Sequence, residues 1–257
     1  MKPHLIIFDI DETLYINHES RIPESTFEAI DKLKKAGHTI AIATGRSFYA
    51  IMDEVKQLPI DFYILANGQL VMRDDEVIYE NAIEMELIRE LMVDTEAVGI
   101  HLGFNTATHS FLTALTDEIR DSFSSGYTLP KVSQDIENQG SIYQIWYFSG
   151  EYTEISEKFK DRLRFIPWIW NGGADILPIG VSKAFALTKM LEVLDDDIYE
   201  KTVFFGDGIN DIELIEMADI GVAMGNAAEP VKEVADFVTK NIEDDGVYYA
   251  CEQLGLF

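Results

Sequence analysis

The chain has 257 residues, 47% of them hydrophobic, which suffices for one large domain or for a core domain carrying a smaller insert. Its formal net charge of −26, from 46 acidic and 20 basic residues, argues against nucleic acid and anionic membranes as partners, so any phosphate site must supply its own local positive charge. The single cysteine, Cys251, excludes an intrachain disulfide, argues against a cysteine-based zinc centre and fits a reducing, cytoplasmic setting.

The apolar stretch Leu5-Ile6-Ile7-Phe8 is too short for a signal peptide and runs into Asp9. No apolar run approaches the roughly 20 residues of a membrane span. A soluble, intracellular protein is expected, either a monomer or a small homo-oligomer.

The first third alternates between strand and helix patterns. Leu5 to Ile10 reads as a buried strand. Pro23 to Ala36 has helical spacing, with Phe27, Ile30 and Leu33 on one face, and Gly37 stops it. Thr39 to Ala43 reads as a second strand, Ser47 to Gln57 as a helix and Phe62 to Ala66 as a third strand. Leu70 to Met72 and Val77 to Tyr79 flank Asp74-Asp75 and suggest a hairpin. The middle of the chain has strands that look more alternating and aromatic, as in His109 to Ala114 and Ser141 to Ser149. This predicts a separate antiparallel α+β module. From Ser182 onward the first style returns. Helices are expected over Ser182–Leu194, Asp211–Met217, Pro230–Ala235 and about Gly246–Leu254, with strands over Thr202–Phe205, Ile220–Met224 and Phe237–Thr239. The expected fold is α/β, a Rossmann-like doubly wound parallel-sheet core formed by 1–81 and 178–257, with an inserted α+β cap domain over 82–177.

Four segments place polar groups just after a predicted strand, the edge at which open parallel sheets bind ligands. Asp9-Ile10-Asp11 puts two carboxylates one residue apart. In an extended segment they share a face and can converge on a hard cation, leaving one carboxylate as a nucleophile toward phosphorus. The plainer reading is two solvated acids in a loop. Thr44-Gly45-Arg46 offers a hydroxyl, close backbone N–H groups and a guanidinium for an anion, or else an ordinary strand-to-helix turn. Ser182 looks like an N-cap, which places Lys183 in a first helical turn. A cation is unfavourable there unless an anion lies beside it, although a solvated surface lysine fits the pattern too. Gly206-Asp207-Gly208-Ile209-Asn210-Asp211 combines glycines that admit close backbone approach with acids able to complete a metal site. Together the four supply a nucleophile, a metal site, positive charge and hydrogen-bond donors, the requirements of phosphoryl transfer.

On these residues the sequence resembles the haloacid dehalogenase-like hydrolases of the Cof-type sugar-phosphatase group. The matching segments are Asp9-Ile-Asp11-Glu-Thr13-Leu, Thr44-Gly45-Arg46, Gly180-Val-Ser-Lys183 and Gly206-Asp207-Gly-Ile-Asn210-Asp211, in family order and spacing. Ala66-Asn67-Gly68 also resembles a family segment lying beside the site. The resemblance implies a phosphoric monoester hydrolase that requires Mg2+ and acts on small phosphorylated metabolites. It implies Asp9 as nucleophile and metal ligand, and Asp11 as general acid and base with its carbonyl on the metal. Thr44, Gly45 and Lys183 would bind the phosphoryl group, and Asn210 would contact phosphate or Lys183. Asp207 would be the second carboxylate ligand, and Asp211 would act through water or behind the ligands. Glu12 departs from the pattern, since this group usually has glycine there. A phosphomutase and a catalytically silent phosphate-ester binding protein are the alternatives weighed.

The remaining candidates read as structural. The five histidines lack metal-binding spacing, and most look like surface residues. Cys251 is expected in a packed helix, and Trp146, Trp168 and Trp170 in cap strands. Asp195-Asp196-Asp197 is expected in a solvated turn.

Overall fold

The computed structural model describes residues 2–73, 76–123, 129–168, 172–194 and 199–257. The Asp74-Asp75 turn, the Asp195–Asp197 turn and Trp170 lie outside the described residues. In chain order the first elements are β1 (Leu5–Phe8), α1 (Glu24–Lys35), β2 (Thr39–Ala43), α2 (Asp53–Lys56), β3 (Phe62–Leu65), β4 (Leu70–Arg73) and β5 (Glu76–Glu80). Next come α3 (Met85–Ala97), β6 (Leu102–Thr106), β7 (Ser110–Leu112), α4 (Asp117–Ser122), β8 (Lys131–Val132), β9 (Ile142–Tyr147), α5 (Thr153–Phe159), β10 (Leu163–Pro167) and β11 (Ala174–Pro178). The chain closes with α6 (Lys183–Val193), β12 (Thr202–Gly206), α7 (Ile212–Met217), β13 (Ile220–Ala223), α8 (Glu229–Val234), β14 (Phe237–Val238) and α9 (Gly246–Gln253). The protein has two compact units. One comprises Met1–Gly45, Ile51–Tyr79 and Ser182–Phe257, and the other comprises Arg46–Ala50 and Glu80–Val181.

The first unit holds a sheet in the order β14-β13-β12-β1-β2-β3-β4-β5. Its six strands from β14 to β3 run parallel, and β4 turns back antiparallel to β3. The central strands are buried along their length, which is why Leu5-Ile6-Ile7-Phe8 has no polar alternation. One face packs Leu5, Ile7, Phe62, Ile64 and Phe204 against Ala186, Leu187, Leu214 and Val231 of α6, α7 and α8. On α1, Thr26, Ala29, Ile30 and Leu33 are buried, and the helix packs on α9 and β2. Phe27, expected on that buried face, is 41% exposed. The buried stripe centres on Thr26, Ala29, Ile30 and Leu33, one position away from the face that includes Phe27. Cys251 is fully buried on α9, as its neighbours suggested.

The expected helix over Ser47–Gln57 does not form as one piece. A 3-10 turn at Phe48–Ala50 and the single turn of α2 replace it. Phe48, Ile51, Met52 and Val55 have helical spacing, but only Ile51 and Val55 of them are buried, so tertiary packing overrides the local pattern.

The second unit carries the sheet β10-β11-β9-β6-β7-β8. Its pairings are antiparallel except for β7 with β8, which run parallel, contrary to a purely antiparallel module. The expected alternation is absent as well, because both faces of the central strands are covered. Phe104, Ile145 and Tyr147 meet Ile88 and Leu91 of α3 and Phe159 of α5. On the other side Leu112, Trp146, Phe148 and Trp168 cluster with Ile119 of α4. Trp168 lies just past β10, and its Nε1 donates to Asp175 Oδ1 at 2.9 Å.

Most of the five histidines are expected at the surface, but two are buried. His4 and His38 stack with ring centroids 5.0 Å apart. His38 Nδ1 accepts the His4 backbone N–H at 2.9 Å, so its other nitrogen carries the proton and donates to the Leu256 carbonyl at 2.7 Å. His4 Nδ1 is buried with no hydrogen-bond partner among the described residues. Burial, then the neighbouring His38 and Lys201, hold the His4 ring below its ordinary value of 6.5, against the pull of Glu200 and Asp219. A histidine lowered on folding stabilises fully above its unfolded value, and that stability is lost as pH falls through the folded one. The thermal midpoint should therefore drop as pH falls below about 6.5. His4→Phe, which keeps the stack, should flatten the first part of that acid limb, and an unchanged limb would show that His4 does not contribute.

Candidate active site

The parallel strands deliver their C-terminal ends to one edge. Asp9 follows β1, Thr44 follows β2, Ala66-Asn67-Gly68 follow β3 and Asp207 follows β12. The strand order reverses about β1, since β2 and β3 lie on one side and β12 and β13 on the other. Open α/β sheets form their binding crevice at this switch point.

Lys183 stands at the first position of α6, behind the N-cap Ser182, whose Oγ accepts the Phe185 N–H at 3.1 Å. It is not a surface lysine, because only 1% of it is exposed. Its Nζ donates to Oδ1 of Asp9 at 2.8 Å and to Oδ1 of Asp211 at 2.7 Å. The second oxygen of Asp211 accepts the backbone N–H groups of Asp207 at 3.1 Å and Gly208 at 2.9 Å. Gly206 must lack a side chain here, since a Cβ would lie 2.6 Å from that same Asp211 oxygen. One carboxylate oxygen from each of Asp9, Asp207 and Asp211 lies within 4.8 Å of the others. The Asp207 carboxylate also accepts the Thr13 hydroxyl, at 3.3 Å.

This crowding is costly. Burial pushes the Asp9 carboxyl up to about 7, opposed by Lys183 and reinforced by Asp211 and Asp11. Burial likewise pushes Asp207 up to about 9, with repulsion from Asp9 and Asp211 added. For Lys183, burial alone would lower the ammonium, but its pairs with Asp211 and Asp9 outweigh burial and hold it above its ordinary value. Three clustered carboxylates, with Asp11 near enough to repel, face one ammonium. The donor set is all oxygen and one ammonium does not balance its charge, so it fits a hard divalent cation. Both oxygens of Asp211 are already committed, which leaves Asp9 and Asp207 better placed for direct ligation.

The other expected residues fall as follows. Asp11 is half-buried past the end of β1, where the chain bends at Ile10, so the premise of an extended Asp9–Asp11 segment does not hold. Its carboxylate is outside the cluster of three. Thr44 is fully buried, its N–H bonded to the Ile64 carbonyl at 2.9 Å. Gly45 lies against the Asn67 side chain. Asn210 Nδ2 donates to Asn67 Oδ1 at 2.9 Å. Arg46 Nη1 donates to the Ala50 carbonyl at 2.9 Å. The 3-10 turn after it offers no long helix N-terminus for an anion.

Glu12 has a left-handed φ of 56°, a conformation that glycine adopts without strain. Here its side chain Oε1 accepts the Asn17 N–H at 3.1 Å and its carbonyl accepts Asn226 Nδ2 at 2.8 Å, which offsets the strain. The motifs alone give Thr13 no role and place Asn67 only beside the site. The signal for Thr13 is its position four residues past Asp9, within the same tight loop.

Residues 6–251 match the family model of the haloacid dehalogenase-like hydrolases. The chain belongs to that family. A putative phosphatase of Bacillus subtilis, YkrA, is 36% identical, covering 100% of this chain and 99% of its own length. A hypothetical protein of Geobacillus kaustophilus HTA426 is 35% identical with a TM-score of 0.90, covering 99% of this chain and 100% of its own. The subclass IIB sugar phosphatase BT4131 is 31% identical with a TM-score of 0.86, again covering 99% and 100%. This haloacid dehalogenase-like hydrolase is an enzyme of the phosphoric monoester hydrolase class. Among its described residues no helix is long and apolar enough to cross a membrane.

The crowded carboxylates make a direct prediction. Without a divalent cation, Asp207→Asn should raise the thermal midpoint by about 2–8 °C, the shift expected for removing about 1–2 kcal/mol of the cost of burying that carboxyl in a domain of this size. The same substitution should abolish any stabilisation by an added divalent cation. A lower midpoint in chelator, together with an undiminished response to the cation, would show that Asp207 is not part of the cation site.

Proposed function

We propose that this hydrolase is a magnesium-dependent phosphatase that releases phosphate from small phosphorylated metabolites, sugar phosphates among them, through an aspartyl-phosphate on Asp9. The observation that carries the reading is the buried Lys183 held between Asp9 and Asp211, within a cluster of three carboxylates. A lysine ammonium has three donors. Two are spent on Asp9 and Asp211, and the third is available to a phosphoryl oxygen.

In this reading Asp9 attacks phosphorus while Lys183 fixes one of its oxygens. The ester oxygen leaves with a proton from Asp11. Asp11 then takes a proton from water, the water attacks phosphorus, and the Asp9–phosphorus bond breaks to give inorganic phosphate. Thr44, Gly45, Lys183 and Asn210 hold the oxygens of the phosphoryl group. Asp9, the Asp11 carbonyl and Asp207 would hold Mg2+, with Asp211 behind them. The ion would neutralise the carboxylates and the charge of the phosphoryl oxygens. The sugar-phosphatase relative supports the substrate class. A cytoplasmic monomer or small homo-oligomer is the setting this reading assumes.

Two measurements test it. Hydrolysis of an aryl phosphate should vanish in chelator and return with Mg2+, and full activity after exhaustive chelation would overturn the metal assignment. Lys183→Ala should slow turnover about 100-fold or more, roughly 3 kcal/mol, as for loss of one donor to a developing charge. A folded variant with near-normal turnover would remove Lys183 from the phosphoryl site.

A further inference from the structure

The turn after β3 is unusual in its backbone. Ala66, Asn67 and Gly68 have φ of 48°, 54° and 100°, three consecutive residues in left-handed space. Only glycine adopts this region freely, and asparagine tolerates it better than most residues. Strain of this kind persists where surrounding contacts enforce it, and it concentrates at functional sites. The contacts here are specific, and each reaches a different segment of the active site.

Asn67 is 3% exposed. Its backbone N–H donates to the Thr44 carbonyl at 3.0 Å. A trans peptide is planar, so fixing the direction of the Thr44 C=O fixes the Gly45 N–H to point the opposite way. The Asn67 side chain packs on Gly45, where a Cβ would lie 3.2 Å from both Nδ2 and Oδ1. Its Oδ1 accepts Asn210 Nδ2 at 2.9 Å, which ties the turn to the Asp207–Asp211 loop. Next to it, Gly68 presses on the start of α6, since a Cβ there would lie 2.1 Å from the Ser182 carbonyl. Ser182 caps the helix whose first residue is Lys183.

We propose that Asn67 is a positioning residue for phosphoryl transfer. Its left-handed backbone aims the Thr44–Gly45 peptide, and its side-chain amide holds Asn210, so that two phosphate-contacting segments keep one geometry. The inference rests on the proposed roles of Gly45 and Asn210. Asn67 acts through them and performs no chemistry itself. Donors aimed in advance matter most where charge develops, so their loss should appear in kcat rather than KM.

The test is a double-variant cycle on the full chain with an aryl phosphate and Mg2+. Asn67→Gly keeps the backbone conformation and N–H but removes the grip on Asn210. It should lower kcat about 10-fold or more and leave KM within about 3-fold, with a cooperative thermal transition retained. Asn210→Ala alone should give a comparable loss. Acting through Asn210, Asn67→Gly should then cost little more in the Asn210→Ala background. Multiplying losses would overturn the positioning role while leaving the phosphatase reading intact. Loss of all effect from Asn210→Ala and Lys183→Ala would overturn the phosphatase reading as well. If the glycine variant does not fold, Asn67→Ser also falls short of Asn210 and completes the same cycle. Unchanged kcat in a folded Asn67 variant would refute the inference.

Discussion

Everything at the sheet edge depends on one ammonium group surrounded by carboxylates. Lys183 is buried with 2.7 and 2.8 Å bonds to Asp211 and Asp9, and Asp207 lies within the same few ångströms. Breaking a buried pair by removing one partner typically costs about 3–5 kcal/mol, whereas well-packed apolar replacements of the whole set are often neutral or better. Such a cluster is therefore a poor device for stability. A site that must receive a divalent cation and a phosphate dianion needs the carboxylates and the lysine poised beforehand, and the fold bears the repulsion in advance.

The sheet solves the problem of bringing these groups together from distant points in the chain. Asp9 and Lys183 are far apart in sequence, as are Thr13 and Asp207, yet each follows a strand or opens a helix at the same edge. Rigid apolar strands such as Leu5–Phe8 and Thr202–Gly206 pair in register and set Phe8 against Phe205, rings tilted and centroids 4.7 Å apart. The loops that follow carry the irregular geometry. Glu12, Ala66 and Asn67 all have left-handed φ within this region, and each is held by hydrogen bonds or neighbouring backbone. Regular structure positions, and strained turns aim.

Much of this was legible in the sequence because it rests on local rules. Continuous apolar runs ending in polar residues predict parallel strands feeding a ligand edge, and β1, β2 and β12 obey. Ser182 ahead of Lys183 predicts a capped helix, and the unfavourable lysine in its first turn points to nearby negative charge. What escaped depends on tertiary partners. Spacing alone assigned Phe27 to the core, but the neighbours of α1 bury Thr26 and Ala29 instead. His4 and His38 look like surface residues until stacking and the Leu256 carbonyl enclose them. The middle of the chain reads as alternating, whereas α3 and α5 cover one side of its sheet and the α4 cluster the other. The bond between Asn67 and Asn210 joins residues far apart in sequence, and no local pattern foretells it.

The proposal that matters most is that Asp9 carries the phosphoryl group, and it can be tested directly. Asp11→Asn keeps its backbone carbonyl but loses the general base that should free the covalent intermediate, slowing its breakdown by about 100- to 10,000-fold. An aryl phosphate with a leaving group that needs no proton should still form the intermediate. After a rapid quench, this variant should show one added phosphoryl mass on the peptide containing Asp9, and Asp9→Asn should show none. Label on another residue, or equal trapping in the Asp9→Asn variant, would contradict Asp9 as the nucleophile.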